Sequence, residues 1–243
     1  MRARGGGRSP PVRHAAFTSG GGLFAGARDG ESGAGSSLVV WRAVQADDQS
    51  APLVECVQQV DLPAGVHVSR LRFVPVRGEI GSTHALVAFG ALDILLFPFD
   101  EQRGKLSHSG MHSGQFSDTS APLAQALPLG PLQQRVRLPS PVVGDIAQAT
   151  ESEQAMLFLA TVSEDRPLLL WSYFELPIDR LQAVPLPRGI SDLHALVPRP
   201  DAAGPWAALV YLEEATGAAG PRCEVLALDA TAAVGPAAGV AAA

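Results

Sequence analysis

Two aspartates, Asp145 and Asp192, fall at matching points of two similar short segments, Val143-Gly-Asp-Ile-Ala147 and Ile190-Ser-Asp-Leu-His-Ala195. Two carboxylates brought to one axis can act as general acid and general base, the pair that cleaves a glycosidic bond when several ångströms separate them. Arg70 and His14 take the corresponding places in two further segments. The same four positions therefore suit hydrogen bonding and ion pairing between neighbouring strands, or a polar ring that binds a ligand.

Other patterns carry less chemistry. His108 and His112 are four apart, the spacing that puts two imidazoles on one helical face. The surrounding Ser107-His-Ser-Gly-Met-His-Ser-Gly114 is no helix former and brings no carboxylate or thiol, so a solvated loop is expected and no metal site. Gly26, Gly30, Gly33 and Gly35 lack the spacing, the Lys-Ser/Thr ending and the following helix of a phosphate-binding loop. Cys56 and Cys223 stand far apart inside apolar runs, where reduced and buried thiols are expected. No Gly-x-Ser-x-Gly elbow, His-Glu-x-x-His or Cys-x-x-Cys is present. No catalytic residue and no cofactor is assigned.

The elements that would position these residues repeat four times. Each unit opens on a short apolar segment: Val12 to Phe17, Val68 to Phe73, Val143 to Ala147 and Ile190 to Ala195. A second strand follows (Gly22 to Gly26, His84 to Phe89, Met156 to Thr161, Trp206 to Tyr211) and then a third (Ser37 to Trp41, Asp93 to Phe97, Pro167 to Trp171, Cys223 to Leu228). Fourth strands are readable in the first three units as Leu53 to Val57, Gln134 to Leu138 and Arg180 to Val184. The unit starts are 56, 75 and 47 residues apart, longer than the roughly 40 to 45 of a four-stranded propeller blade. The excess sits in polar stretches, chiefly a Ser/Gly/His/Pro-rich insertion at 107–131, expected as a mobile surface loop. The expected fold is all-β, with 20 prolines scattered against helices.

Composition bounds the function classes. A 243-residue chain with 47% hydrophobic and 17% charged residues can bury a substantial core. No apolar run approaches the roughly 20 residues of a membrane helix, so no membrane partner is expected. A net charge of -6 opposes a broad grip on phosphate backbones, so any nucleic-acid contact is expected to be indirect. The arginines Arg2, Arg4, Arg8 and Arg13 precede the first acid, Asp29. Residues 1–11 are expected to form a disordered basic terminus, the edge of a longer product or an acid-poor targeting segment. Residues 230–243, an Ala/Gly tail, are expected to fray.

The run Val68-Ser-Arg-Leu-Arg-Phe-Val-Pro75, followed by an Ala-containing apolar strand and by segments ending in Trp41 or Trp171, resembles WD40 repeats. The resemblance spans most of residues 12–229. The signature dipeptide is absent, since Arg42 follows Trp41 and Ser172 follows Trp171, and no Gly-His opens a repeat. The resemblance implies a WD40-like β-propeller, a partial ring of about four blades at 12–65, 66–142, 143–188 and 189–229. The three-unit stretch is also similar to the non-catalytic WD-repeat subunit of the tRNA guanine-N7 methyltransferase. The residues carrying that likeness are Val68 to Phe73, Ala88 to Phe97 leading to Asp100 to Leu106, and Val143 to Ala147 leading to Leu157 to Trp171. It implies a propeller that holds a catalytic protein partner and performs no chemistry itself, in nucleus or cytoplasm.

Trp41, Phe97 and Trp171 are expected at one repeat position, packing the blades. Arg42, Arg72, Arg166 and Tyr173 are the expected partner contacts, because exposed arginines and aromatics dominate protein interfaces. The expected role is a non-enzymatic scaffold for protein–protein interaction. The alternative is a propeller-type, glycosidase-like hydrolase working through Asp145 and Asp192.

Overall fold

Short Val-, Leu- and aromatic-rich runs punctuated by Gly, Pro and Asp form fifteen antiparallel strands among the described residues, because branched and aromatic side chains pack well on a pleated surface. The computed structural model describes residues 12–18, 22–29, 36–44, 53–76, 84–101, 127–148, 155–162, 167–186, 190–199, 206–213 and 222–229. The first sheet holds β1 (Val12–Phe17), β2 (Leu23–Arg28), β3 (Ser37–Val44) and β4 (Leu53–Asp61) in sequence order. The second holds β5 (Val68–Pro75), β6 (His84–Gly90), β7 (Asp93–Phe99) and β8 (Gln134–Arg137). The third holds β9 (Val142–Gln148), β10 (Ala155–Val162), β11 (Pro167–Tyr173) and β12 (Gln182–Pro185). The fourth has three strands among the described residues: β13 (Ile190–Arg199), β14 (Trp206–Glu213) and β15 (Arg222–Asp229).

Strand alternation decides how the sheets meet. In β6 and β7, Leu86, Ala88, Leu95 and Phe97 join Leu23, Ala25, Leu38 and Val40 of the first sheet. The intervening Val87, Phe89, Ile94 and Leu96 join Val142, Ile146, Leu157 and Leu159 of the third sheet. The opposite face of the third sheet, with Met156, Phe158, Leu169 and Trp171, packs on Ile190 and Leu196 of the fourth. The two middle sheets are thus buried on both faces, which explains why β6 (HALVAFG) and β7 (DILLFPF) read as nearly unbroken apolar runs. The end sheets keep one wetter face, with Phe17 66% exposed in the first and Val225 68% exposed in the fourth. The first strands of successive sheets lie beside one another, β1 beside β5, β5 beside β9 and β9 beside β13.

Register shows how far the units correspond. In three first strands a one-residue irregularity follows the opening apolar residue: Val12/His14, Val68/Arg70 and Ile190/Asp192. His14, Arg70 and Asp192 therefore hold one place. Asp145 does not share it. Arg70 pairs with Phe89, one residue before the end of its neighbour strand, whereas Asp145 pairs with Phe158, four before the end of its own. The third sheet also presents its aromatic differently. Phe97 faces the first sheet, the preceding one, but Trp171 faces the fourth, the following one. A one-residue shift in a strand turns every side chain to the other face, so short matches in sequence do not guarantee equal roles.

Two further expectations are corrected. Cys56 is exposed, because β4 is the outer edge strand of an end sheet. The second part of the insertion is anchored where a mobile loop was expected: Leu129 is buried and bridges to Phe99. Asp100 N and Gly130 N close this contact through Pro128 O and Pro98 O, both at 2.8 Å. Gln58 clamps the Leu129 backbone from both sides, donating to its carbonyl at 2.8 Å and accepting from its amide at 2.9 Å. Residues 1–11, 107–126 and 230–243, with His108 and His112, lie outside the described residues.

Candidate functional site: an arginine and aspartate cluster between sheets

Arg70 and Arg72 are two apart on β5, and alternation gives them one side of the strand while Leu71 and Phe73 enter the core shared with the first sheet. β9 runs alongside and contributes Asp145, whose side chain is 3% exposed. Its carboxylate accepts Nε of Arg72 at 2.7 Å and Nη2 of Arg72 at 2.9 Å, a two-pronged fork. It also accepts Nη1 of Arg70 and, at 2.9 Å, the amide of Ile146. Arg70 Nη1 donates in addition to the carbonyl of Leu196 on β13 at 3.1 Å. One carboxylate thus ties the second, third and fourth sheets together.

The electrostatics follow from that geometry. The hydrogen bond to Asp145 raises the Arg72 pKa above the usual guanidinium range, against the opposing pull of burial. Burying the Asp145 charge is costly unless it is paired and hydrogen-bonded, and here both oxygens are occupied. The side chain of Asp192, the other member of the expected acid–base pair, lies outside the described residues, as does that of His194.

A second carboxylate is held within one sheet. Asp93 opens β7 with its side chain 9% exposed, and Arg135 of β8 donates Nε to it at 2.8 Å. That contact raises the Arg135 pKa. Sequence reasoning missed this pair because the insertion separates the partners by 42 positions. The Arg72 contact had a visible signal, its i, i+2 spacing from Arg70 on a strand.

The remaining expected partner contacts are distributed. Arg42 lies on β3, its side chain 11% exposed, with Nη1 3.8 Å from Glu55 of β4. Arg72, 44% exposed, is committed to Asp145 while one edge of its guanidinium side chain meets solvent. Tyr173 ends β11, half exposed, its ring edge-on to Trp171 at 5.8 Å between centroids. Arg166 lies outside the described residues. On the first sheet Trp41 stacks on Phe24 at 5.2 Å, Phe24 stacks on Phe17 at 5.4 Å, and Arg28 sits over the Trp41 ring at 5.2 Å. Trp41, Phe97 and Trp171 are all buried.

Beside Tyr173 the connection from β11 to β12 forms an open cavity of about 360 Å³. Its lining includes Tyr173, Glu175, Pro177, Asp179, Arg180 and Gln182. The connection is fixed from beneath. Phe174, Ile178 and Leu181 enter the core between the second and third sheets. Gln134 of β8 clamps the Ile178 backbone, donating to its carbonyl and accepting from its amide at 3.0 Å each.

Among the described residues no group of three or more His, Cys, Asp and Glu could hold a metal ion. No helix among them is long and apolar enough to cross a membrane. Neither the protein-family models nor the curated protein sequences give a match to this chain.

Proposed function

We propose that the chain is a WD40-like β-propeller, or part of such a ring, that works as a non-enzymatic scaffold for a protein partner. The observation that carries this reading is the stacking of four sheets face to face with their first strands side by side, locked at Asp145. Blades around an axis need that arrangement, and it leaves turns and outer strands at rigid, spaced positions where a partner can engage several at once. Of the two roles weighed for Asp145, the ion-pair tie is the one its saturated oxygens favour over acid–base work. A narrower form of the proposal makes the partner the catalytic subunit of a tRNA guanine-N7 methyltransferase, in nucleus or cytoplasm, with RNA contacted through that subunit. It rests on the similarity of Val68 to Phe73, Ala88 to Phe97 with Asp100 to Leu106, and Val143 to Ala147 with Leu157 to Trp171 alone.

Affinity purification of the tagged chain, followed by identification of proteins and RNA, tests both. Recovery of a methyltransferase with tRNA supports the narrow form, and recovery of another stable protein assembly removes it while keeping the scaffold. A chain that purifies alone and hydrolyses aryl glycosides in an Asp145-dependent manner overturns the proposal.

A further inference from the structure

The cavity at Tyr173 joins an exposed aromatic ring, carboxylates and a backbone anchored from beneath. Glu175 and Asp179 bring two carboxylates and Arg180 one guanidinium, so the lining carries a formal excess of one negative charge. Asp179 is exposed and forms no hydrogen bond or ion pair among the described residues. Tyr173 presents half its surface while Trp171 holds the ring edge-on from behind. The three buried anchors and the Gln134 clamp fix the loop, so a ligand meets a surface that is already ordered.

We propose that this cavity is the partner-docking subsite and that it takes an arginine or lysine side chain presented by an extended segment of a protein partner. The inference deepens the scaffold reading and rests on it. A cation is attracted to the face of a tyrosine ring, and a guanidinium or ammonium matches a carboxylate at hydrogen-bonding distance. The volume is at the lower end for ligand pockets, enough for one long side chain and part of its backbone. Arg180 opposes a cation directly above it and so confines the incoming charge to the Tyr173 and Asp179 part of the lining. The same guanidinium can donate to a backbone carbonyl or to an acidic neighbour of that side chain.

The test uses the full chain and the fluorescently labelled peptide Ac-Gly-Arg-Gly-Arg-Gly-amide, with a Gln-for-Arg peptide and a Glu-for-Arg peptide as controls, read by fluorescence anisotropy. The Arg peptide should bind at least about tenfold more tightly than either control. Tyr173→Ala and Asp179→Asn should each weaken it about five- to tenfold, and Arg180→Ala should strengthen it severalfold. Tyr173, Asp179 and Arg180 are exposed, so these variants are expected to melt at the parent temperature. Equal binding of the three peptides, or unchanged affinity in both weakening variants, overturns the subsite. If those variants bind the Arg peptide normally yet a protein assembly still co-purifies, the subsite fails while the scaffold reading stands. If the Arg peptide binds as expected yet no protein co-purifies, the subsite holds as a basic-side-chain site and the scaffold reading fails.

Discussion

Arg72 grips Asp145 with Nε and Nη2 at 2.7 and 2.9 Å, joining strands that are 73 positions apart in the chain. A planar fork matches a carboxylate in a way that an ammonium cannot, so this contact discriminates between the two basic residues.

Asp145→Asn should destabilise the protein by about 2–4 kcal/mol, less than a fully buried pair because both guanidiniums keep partial contact with water. Arg72→Lys should retain only part of the contact. Urea unfolding of the single and double variants measures the coupling, and additive effects of Arg72→Met and Asp145→Asn would remove the tie.

The pH dependence of this tie has a definite sign. The folded Arg72 and Arg135 pKa values are raised, so their contribution is complete below the unfolded guanidinium value and declines only as pH rises through the folded one. These two groups should therefore leave unfolding free energy flat through neutral and moderately alkaline pH. The measurement is urea midpoints from pH 7 to 10 for the parent and Arg135→Met. A difference between the two that shrinks across that range would contradict the assignment.

Close sheet packing makes one glycine position intolerant. A Cβ at Gly144 would lie 2.7 Å from Leu159 Cδ2 and from Phe89 Cδ1, two buried side chains without room to retreat. Gly144→Ala should cost about 1–3 kcal/mol. Gly22, where a Cβ meets nothing within 4 Å, is the control and should accept alanine with little change in melting temperature.

Trp171 separates packing from hydrogen bonding. It is buried, and its Nε1 has no hydrogen-bond partner among the described residues. Trp171→Ala should cost about 3–5 kcal/mol from lost volume. Trp171→Phe should cost much less, because the buried unpaired N–H leaves with the indole. Thermal unfolding of the two variants checks the order.

Cys56 should react with a thiol reagent in the native protein, being exposed on edge strand β4. Labelling under native conditions followed by peptide mapping reads it. Protection of Cys56 until the chain unfolds would mean that another surface covers β4.

The all-β class and the division into successive antiparallel sheets were legible in the sequence because turn residues punctuate apolar runs at repeating intervals, and periodicity reports strands whether or not side chains touch. Face assignment was not. Trp171 matches Phe97 in local sequence yet packs toward the opposite neighbour, since a single-residue shift costs nothing in pattern and reverses the face. Asp145 was legible as a charge in a first strand and as a candidate for ion pairing, while its offset from Arg70 appears only in the pairing register. The clamps made by Gln58 and Gln134 left no sequence signal, because an amide side chain binding backbone looks like any surface glutamine. Cys56 was misread because edge strands and central strands share composition, and only the sheet order tells them apart.

The scaffold reading is tested most directly by light scattering of the natively purified, tagged chain after size-exclusion chromatography. The account predicts a discrete complex with a second protein in fixed stoichiometry, heavier than the 25.3 kDa chain, that dissociates when Tyr173 and Asp179 are replaced together. A chain that runs as a bare monomer and turns over a substrate by itself would contradict it.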